Sequence, residues 1–218
     1  MVEQSGTALL LEQICNHHED KIMPLGAFKA ALMGTAGVSA GADVVLLSTQ
    51  TASDSASISF TSGIDSTYGE YIFKFYNIRP ESNGTDFQFQ VNATDSDSYD
   101  ETITSTWFDA FHEEDDSPAE LSYRTALDQA QGTADQRIGY GVGGSADESV
   151  VGELHLFNPS STTYVKHFIA NMNMMHHDDG ARNAFIAGYI NTTTAIDDIK
   201  FLMNSGNLNG TIKMWGVK

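Results

Sequence analysis

From Asp43 to the C-terminus, apolar side chains recur at every second position in one short segment after another, the spacing of extended strands with one buried face. In Phe87-Gln-Phe-Gln-Val91 the pattern places Phe87, Phe89 and Val91 on a packed face and leaves Gln88 and Gln90 on a wet one. Similar β-branched or aromatic segments, bounded by Gly, Asn, Asp, Ser or Pro, are predicted over 44–47, 57–61, 70–78, 86–92, 102–108, 119–123, 152–157, 163–169, 184–190, 196–203 and 211–217. Many short strands at this spacing predict an antiparallel β-sandwich or barrel. Asn83-Gly84 lies between two of the segments and Asn209-Gly210 just before the last, both with the positive-φ tolerance that tight hairpins need. With so few helical stretches between strands a parallel βαβ sheet is disfavoured, and without internal repeats so is a propeller or solenoid.

Residues 1–42 read differently. Thr7 to Ile14 fits a short helix, and Leu25, Phe28, Lys29 and Leu32 repeat at helical spacing between Pro24 and the stop signal at Gly34. The small-residue run Gly34 to Gly41 reads as a linker. The expected organisation is an N-terminal arm over 1–42, partly helical and used for docking or oligomerisation, followed by a sandwich over 43–218. Residues 1–20 lack a basic segment followed by an apolar one, so neither a signal peptide nor a membrane span is expected. Cys15 is the only cysteine, which leaves stability to packing.

Charge narrows the partners. The formal net charge is −18, which repels phosphate backbones and anionic lipid surfaces, so nucleic acid and membrane are not expected partners. Ten carboxylates (Asp95, Asp97, Asp100, Glu101, Asp109, Glu113, Glu114, Asp115, Asp116, Glu120) fall in one stretch free of lysine and arginine, which predicts a solvated acidic face.

The motifs that carry chemistry elsewhere are weak here. Gly37-Val-Ser-Ala-Gly41 has the spacing of a hydrolase nucleophile elbow, but a helix signal precedes it and a strand follows, the reverse of the required order. Gly139-Tyr-Gly-Val-Gly-Gly144 lacks the lysine and the helix of a phosphate loop and reads as a turn or bulge. Asp95 to Glu101 alternates oxygen donors, so calcium is the alternative to a solvated loop. His17-His-Glu-Asp20 and His176-His-Asp-Asp179 carry zinc-type donors, but adjacent strand residues point to opposite faces, so loop histidines are expected rather than ligands. Glu113 to Asp116 is too exposed a run to give a glycosidase its two opposed carboxyl roles. The sequons at Asn83, Asn92, Asn191 and Asn209 read as strand-end residues, and Trp107, Trp215, Tyr99 and Tyr140 as core or interface aromatics that would stack on sugars only if exposed. No catalytic residue, cofactor site or metal ligand is predicted.

Several stretches together carry a family likeness. They are Leu47-Ser-Thr-Gln-Thr-Ala-Ser53, Ile58-Ser-Phe-Thr-Ser-Gly-Ile-Asp-Ser-Thr-Tyr68, Tyr71-Ile-Phe-Lys-Phe75 with Asn77-Ile-Arg-Pro80, Gly152-Glu-Leu-His-Leu-Phe-Asn-Pro159, Tyr164-Val-Lys-His-Phe168, Gly188-Tyr-Ile-Asn-Thr-Thr193 and Gly210-Thr-Ile-Lys-Met-Trp-Gly-Val217. In these the chain resembles virion structural proteins of tailed phages of marine bacteria, cyanophages among them. The resemblance implies a jelly-roll or concanavalin-like sandwich on the particle surface, in tail or head, with no enzymatic residues. A tail-fibre or tail-tip adhesin that contacts a host-surface glycan is the expected function. A capsid decoration or head-fibre protein is the first alternative and a polysaccharide depolymerase the second. Other virion proteins would be contacted through the 1–42 arm, and a homo-oligomer, a trimer first, is expected.

Overall fold

The computed structural model describes residues 43–117 and 119–218, so the expectations for the 1–42 arm, His17-His18 and Gly37 to Gly41 lie outside the described residues. Among the described residues there is no helix. The strands in chain order are β1 (Val44–Ser55), β2 (Ser57–Phe60), β3 (Glu70–Pro80), β4 (Thr85–Ala93), β5 (Ile103–Glu113), β6 (Ala119–Tyr123), β7 (Ala130–Gly132), β8 (Gln136–Val142), β9 (Val150–Phe157), β10 (Lys166–His176), β11 (Gly180–Ile190), β12 (Ile196–Met203) and β13 (Leu208–Val217).

Every pairing among the described residues is antiparallel. One run of neighbours is β1-β13-β3-β9-β10-β11-β5, with β6 and β7 on the far edge of β5; the other is β8-β4-β12-β2. The two runs join at a single register position, His176 of β10 opposite Val142 of β8. At the other side Gln50 Nε2 donates to the Ser59 carbonyl at 2.7 Å and draws β1 to β2, so the wall is nearly closed. All-β architecture and a two-faced antiparallel wall are as the alternation predicts.

Inward side chains of the larger run (Tyr71, Phe73, Phe75, Leu154, Phe168, Met172, Ile212) meet those of the smaller one (Ile58, Phe60, Phe87, Phe89, Val91, Phe201) in one buried cluster. Phe201 is its hub, with ring centroids of Phe60, Phe73, Phe75, Phe87 and Phe89 between 5.2 and 6.4 Å away. Each fully buried aromatic of this kind contributes about 1.5–3 kcal/mol by burial, so no disulfide is needed.

Four readings of the sequence are corrected. Gln88 and Gln90 do not face water: β4 is buried on both faces, because the segment around β7 folds over its polar side. There Gln90 Nε2 lies 3.1 Å from the Glu101 carbonyl and 3.2 Å from those of Thr133 and Ala134. Asn83-Gly84 is not the turn of a hairpin, since β3 and β4 belong to different runs, and Asn209-Gly210 lies inside β13 opposite a bulge in β3. Gly139 to Gly144 is not a connection between strands but begins as strand β8, and of the two forms expected for it the bulge is found, at the register shifts against β4, and not the turn.

The fourth concerns the acidic stretch, which is not wholly a solvated face. Asp109 is fully buried on β5, its carboxylate 2.8 Å from Arg124 Nε and 2.9 Å from Arg182 Nη1. Both guanidiniums also lie over the Phe111 ring, at 5.2 and 4.7 Å.

Candidate functional site

Because side chains alternate along each strand, the register of the larger run lines up outward residues in transverse files. One file crosses seven strands: Tyr123, Phe108, Phe185, Asn171, Glu153, Lys74 and Lys213. It runs from an aromatic ledge through an amide to a charged end. Phe108 and Phe185 stack with centroids 5.2 Å apart and planes 15° from parallel. The neighbouring file adds Leu121, Asn183, Asn173 and Val151.

Between the ledge and the charged end lies a groove of about 450 Å³, lined by Lys74, Tyr76, Val151, Gly152, Glu153, Asn171, Asn173 and Asn183 among others. Its floor depends on Gly152, whose φ is +151°. A Cβ there would sit 2.3 Å from the Asn171 carbonyl oxygen, closer than real side chains approach, so β9 and β10 meet this tightly only with glycine. The adjacent register shift in β3 between Phe75 and Ile78 swings Tyr76 outward, with Lys213 Nζ 5.2 Å from its ring centre.

Charge in the groove is fixed. Glu153 lies 3.3 Å from Lys74 Nζ and 3.2 Å from His155 Nε2. The His155 hydrogen bond, with that from Lys74, holds the Glu153 carboxyl below its ordinary pKa, so it accepts hydrogen bonds and is not suited to donate a proton. On the other side Glu70 pairs with His155 Nδ1. Asn171 and Asn173 are exposed, and Asn173 Nδ2 donates to the Arg182 carbonyl at 3.3 Å. The site offers amide donors and acceptors, an ion pair and aromatic or apolar rims, which suits a polar, ring-shaped ligand.

A second cluster sits at the end of the larger run. The β5–β6 and β10–β11 connections lie side by side, joined by the Glu114 amide donating to the Asp179 carbonyl at 2.9 Å. Glu113, Glu114, Asp115, Ser117, Asp178 and Asp179 line one open cavity of about 560 Å³. The expectation that His176 and His177 point to opposite faces fails: β10 ends at His176, the chain turns, and the two ring centres are only 4.1 Å apart. Burial, aided by the Arg182 charge and by His177, pushes His176 down to about 4.

The remaining sequence candidates do other work. The Gly141 amide of the glycine-rich run donates to the protein's own Asp86 carboxylate at 3.0 Å, which leaves that amide no role in holding a phosphate. In the Asp95 to Glu101 loop Asp95 accepts from Thr194 Oγ1, and burial, before the neighbouring acids, raises the Glu101 carboxyl. Among the described residues its carboxylates are not part of a converging metal-ligand group. Asn83, Asn191 and Asn209 make hydrogen bonds to Gly144, Gln131 and Asp54, and Asn92 is buried. Trp107 is in the core, whereas Trp215 is half-buried on the outer face of β13. The groove was missed in the sequence because its residues come from β3, β9, β10 and β11; the clue that was present is the exposed spacing Asn171-x-Asn173 between core methionines.

No protein-family model, curated protein or solved structure matches the chain.

Proposed function

We propose that the chain is a non-enzymatic virion surface protein of a tailed phage, a jelly-roll or concanavalin-like sandwich that attaches to a host-surface glycan through the outer face of its larger sheet. The observation that carries this reading is the groove of Asn171, Asn173 and Asn183 between the Phe108–Phe185 ledge and the Lys74–Glu153 pair. Sugars present hydroxyls to amides and carboxylates and C–H faces to aromatic rings, and a site on a rigid sheet presents both without ordering cost. An ionised, doubly partnered Glu153 favours binding over hydrolysis. Phage origin and the tail location rest on the sequence resemblance, which does not extend to residues 1–42. Contact with other virion proteins through those residues and a trimeric assembly rest on the small and apolar composition of the arm, which suits packing between symmetry-related subunits.

The second reading is capsid decoration or head-fibre packing. It is favoured by the apolar side chains exposed along the same face and its β1 end: Val44, Leu46, Leu121, Val151 and Ile169. A glycan array probed with the full chain separates the two. Reproducible hits that weaken about tenfold or more in Asn171→Ala and Asn173→Ala support the adhesin. Absence of hits, with electron density for the protein at capsid lattice positions, overturns it in favour of decoration; reducing ends released from host polysaccharide would overturn the non-enzymatic reading.

A further inference from the structure

His176, His177 and Asp178 each offer one donor atom, and these lie within 4.8 Å of one another. Asp178 faces both rings. One carboxylate oxygen is 3.5 Å from His176 Nδ1, and the other is 3.4 Å from His177 Nε2. In a tetrahedral shell with bonds of about 2.0–2.1 Å, neighbouring ligands are roughly 3.3 Å apart. Each histidine nitrogen already lies close to that distance from one of the two carboxylate oxygens.

Hydrogen bonding fixes which nitrogens carry lone pairs. His177 Nδ1 lies 3.2 Å from the Gly141 carbonyl, which only accepts, so Nδ1 holds the proton and the neutral ring turns its Nε2 lone pair toward Asp178. A backbone carbonyl behind the ring is the usual orienting partner of a metal-bound histidine. Gly141 makes this contact possible: its φ is +61°, and a Cβ there would fall 2.3 Å from His176 Nε2 and 3.1 Å from His177 Nδ1. His176 Nδ1 accepts a long 3.3 Å bond from the Asp178 amide, so Nδ1 carries a lone pair on the Asp178 side, 3.5 Å from a carboxylate oxygen. Two nitrogen lone pairs and a carboxylate thus converge with no hydrogen between the side chains, an arrangement that a cation resolves.

We propose that His176 Nδ1, His177 Nε2 and the Asp178 carboxylate bind one divalent transition-metal ion, with zinc the best match to two imidazoles and a carboxylate, and with water completing the shell. The long Asp178 amide contact gives way to the metal bond at His176. The position is structural, because His176 is the register point at which the two runs of strands join. The carboxylates of Glu113, Glu114, Asp115 and Asp179 around the adjoining cavity draw cations toward it. This inference is independent of glycan binding.

The rival arrangement is a protonated His177 that donates to Gly141 and Asp178 together, and it predicts no response to metal. The test is calorimetric titration of the chelator-stripped full chain with zinc chloride, paired with thermal unfolding. Because the sequence holds a second run, His17-His-Glu-Asp20, a His17→Gln/His18→Gln variant is measured alongside His177→Gln and Asp178→Asn. The expected result is one zinc per chain and a higher Tm in the wild type and in the 17/18 variant, with affinity at least about tenfold weaker in His177→Gln and Asp178→Asn. Asp178 is 65% exposed, so Asp178→Asn keeps the metal-free fold and its Tm even if His177→Gln does not. No zinc binding by the wild type, binding lost with His17 and His18, or undiminished binding in Asp178→Asn each overturns the proposal.

Discussion

Asp109 and Arg182, separated by 73 residues in the chain, form a buried ion pair with the carboxylate 2.9 Å from the guanidinium, and Arg124 completes it from the other side. A buried carboxylate holding two cations is worth little as a pair but costs much when broken, because the partner charges are left unpaired. Asp109→Asn is therefore expected to lose about 3–5 kcal/mol in urea unfolding. Arg124 is 28% exposed and water can replace its partner, so Arg124→Gln is expected to lose only about 1 kcal/mol. Equal losses would mean that breaking the Arg124 contact alone costs as much as removing the carboxylate's charge from both arginines.

Gln90 tests the cover over β4. Its side-chain amide serves carbonyls of Glu101, Thr133 and Ala134, and its own Oε1 accepts from the Val91 amide at 2.9 Å. Gln90→Leu keeps the volume and removes the donors, leaving buried carbonyls unpaired at about 1–3 kcal/mol. Hydrogen exchange is expected to speed up over residues 128–136 while the amides shared by β4 and β12 stay protected. Uniform loss of protection would show that the segment and the sandwich unfold as one unit.

These two residues also show where sequence reading stops. Period two in Phe87-Phe89-Val91 locates β4 because it is a property of one strand and one core. What lies on the other face of the strand is decided by Thr133 and Ala134, 43 and 44 residues from Gln90, which no local pattern announces. The acidic run is read as solvated for the same reason, since the partners of Asp109 lie 15 and 73 residues away. Asn83-Gly84 correctly marks a turn, but turn chemistry does not say whether the chain returns to its own sheet or crosses to the other. His176 and His177 escape the rule of opposite faces because the strand ends between them.

Acid should unfold the protein through His176. In the metal-free fold burial holds its pKa at about 4, against 6.5 for the free side chain. Between those values the unfolded chain takes up the proton and the folded one does not, so stability is complete above 6.5 and falls as pH drops toward 4. The full difference corresponds to about 3 kcal/mol. With a chelator present, urea midpoints measured across this range are expected to decline in the wild type and to flatten in His176→Gln. A wild-type midpoint independent of pH there would show that the folded ring protonates as readily as the free one.

Gly152 and Asn171 occupy the same groove, yet their substitution should give opposite outcomes. The Asn171 side chain is exposed and no buried group depends on it, so Asn171→Ala is expected to change unfolding free energy by less than about 0.5 kcal/mol while weakening glycan binding. Gly152→Ala places a methyl 2.3 Å from the Asn171 carbonyl oxygen and 2.8 Å from the Met172 sulfur, and a backbone oxygen cannot swing aside as a flexible side-chain end can. The β9–β10 pairing must part locally, at a cost of roughly 1–3 kcal/mol for overpacking, and the groove floor moves with it. Thermal unfolding and array binding on the two variants separate the roles: Asn171→Ala should lose binding alone, and Gly152→Ala should lose both. If Gly152→Ala kept full stability, the close approach of β9 to β10 that shapes the groove would not be a constraint on the fold.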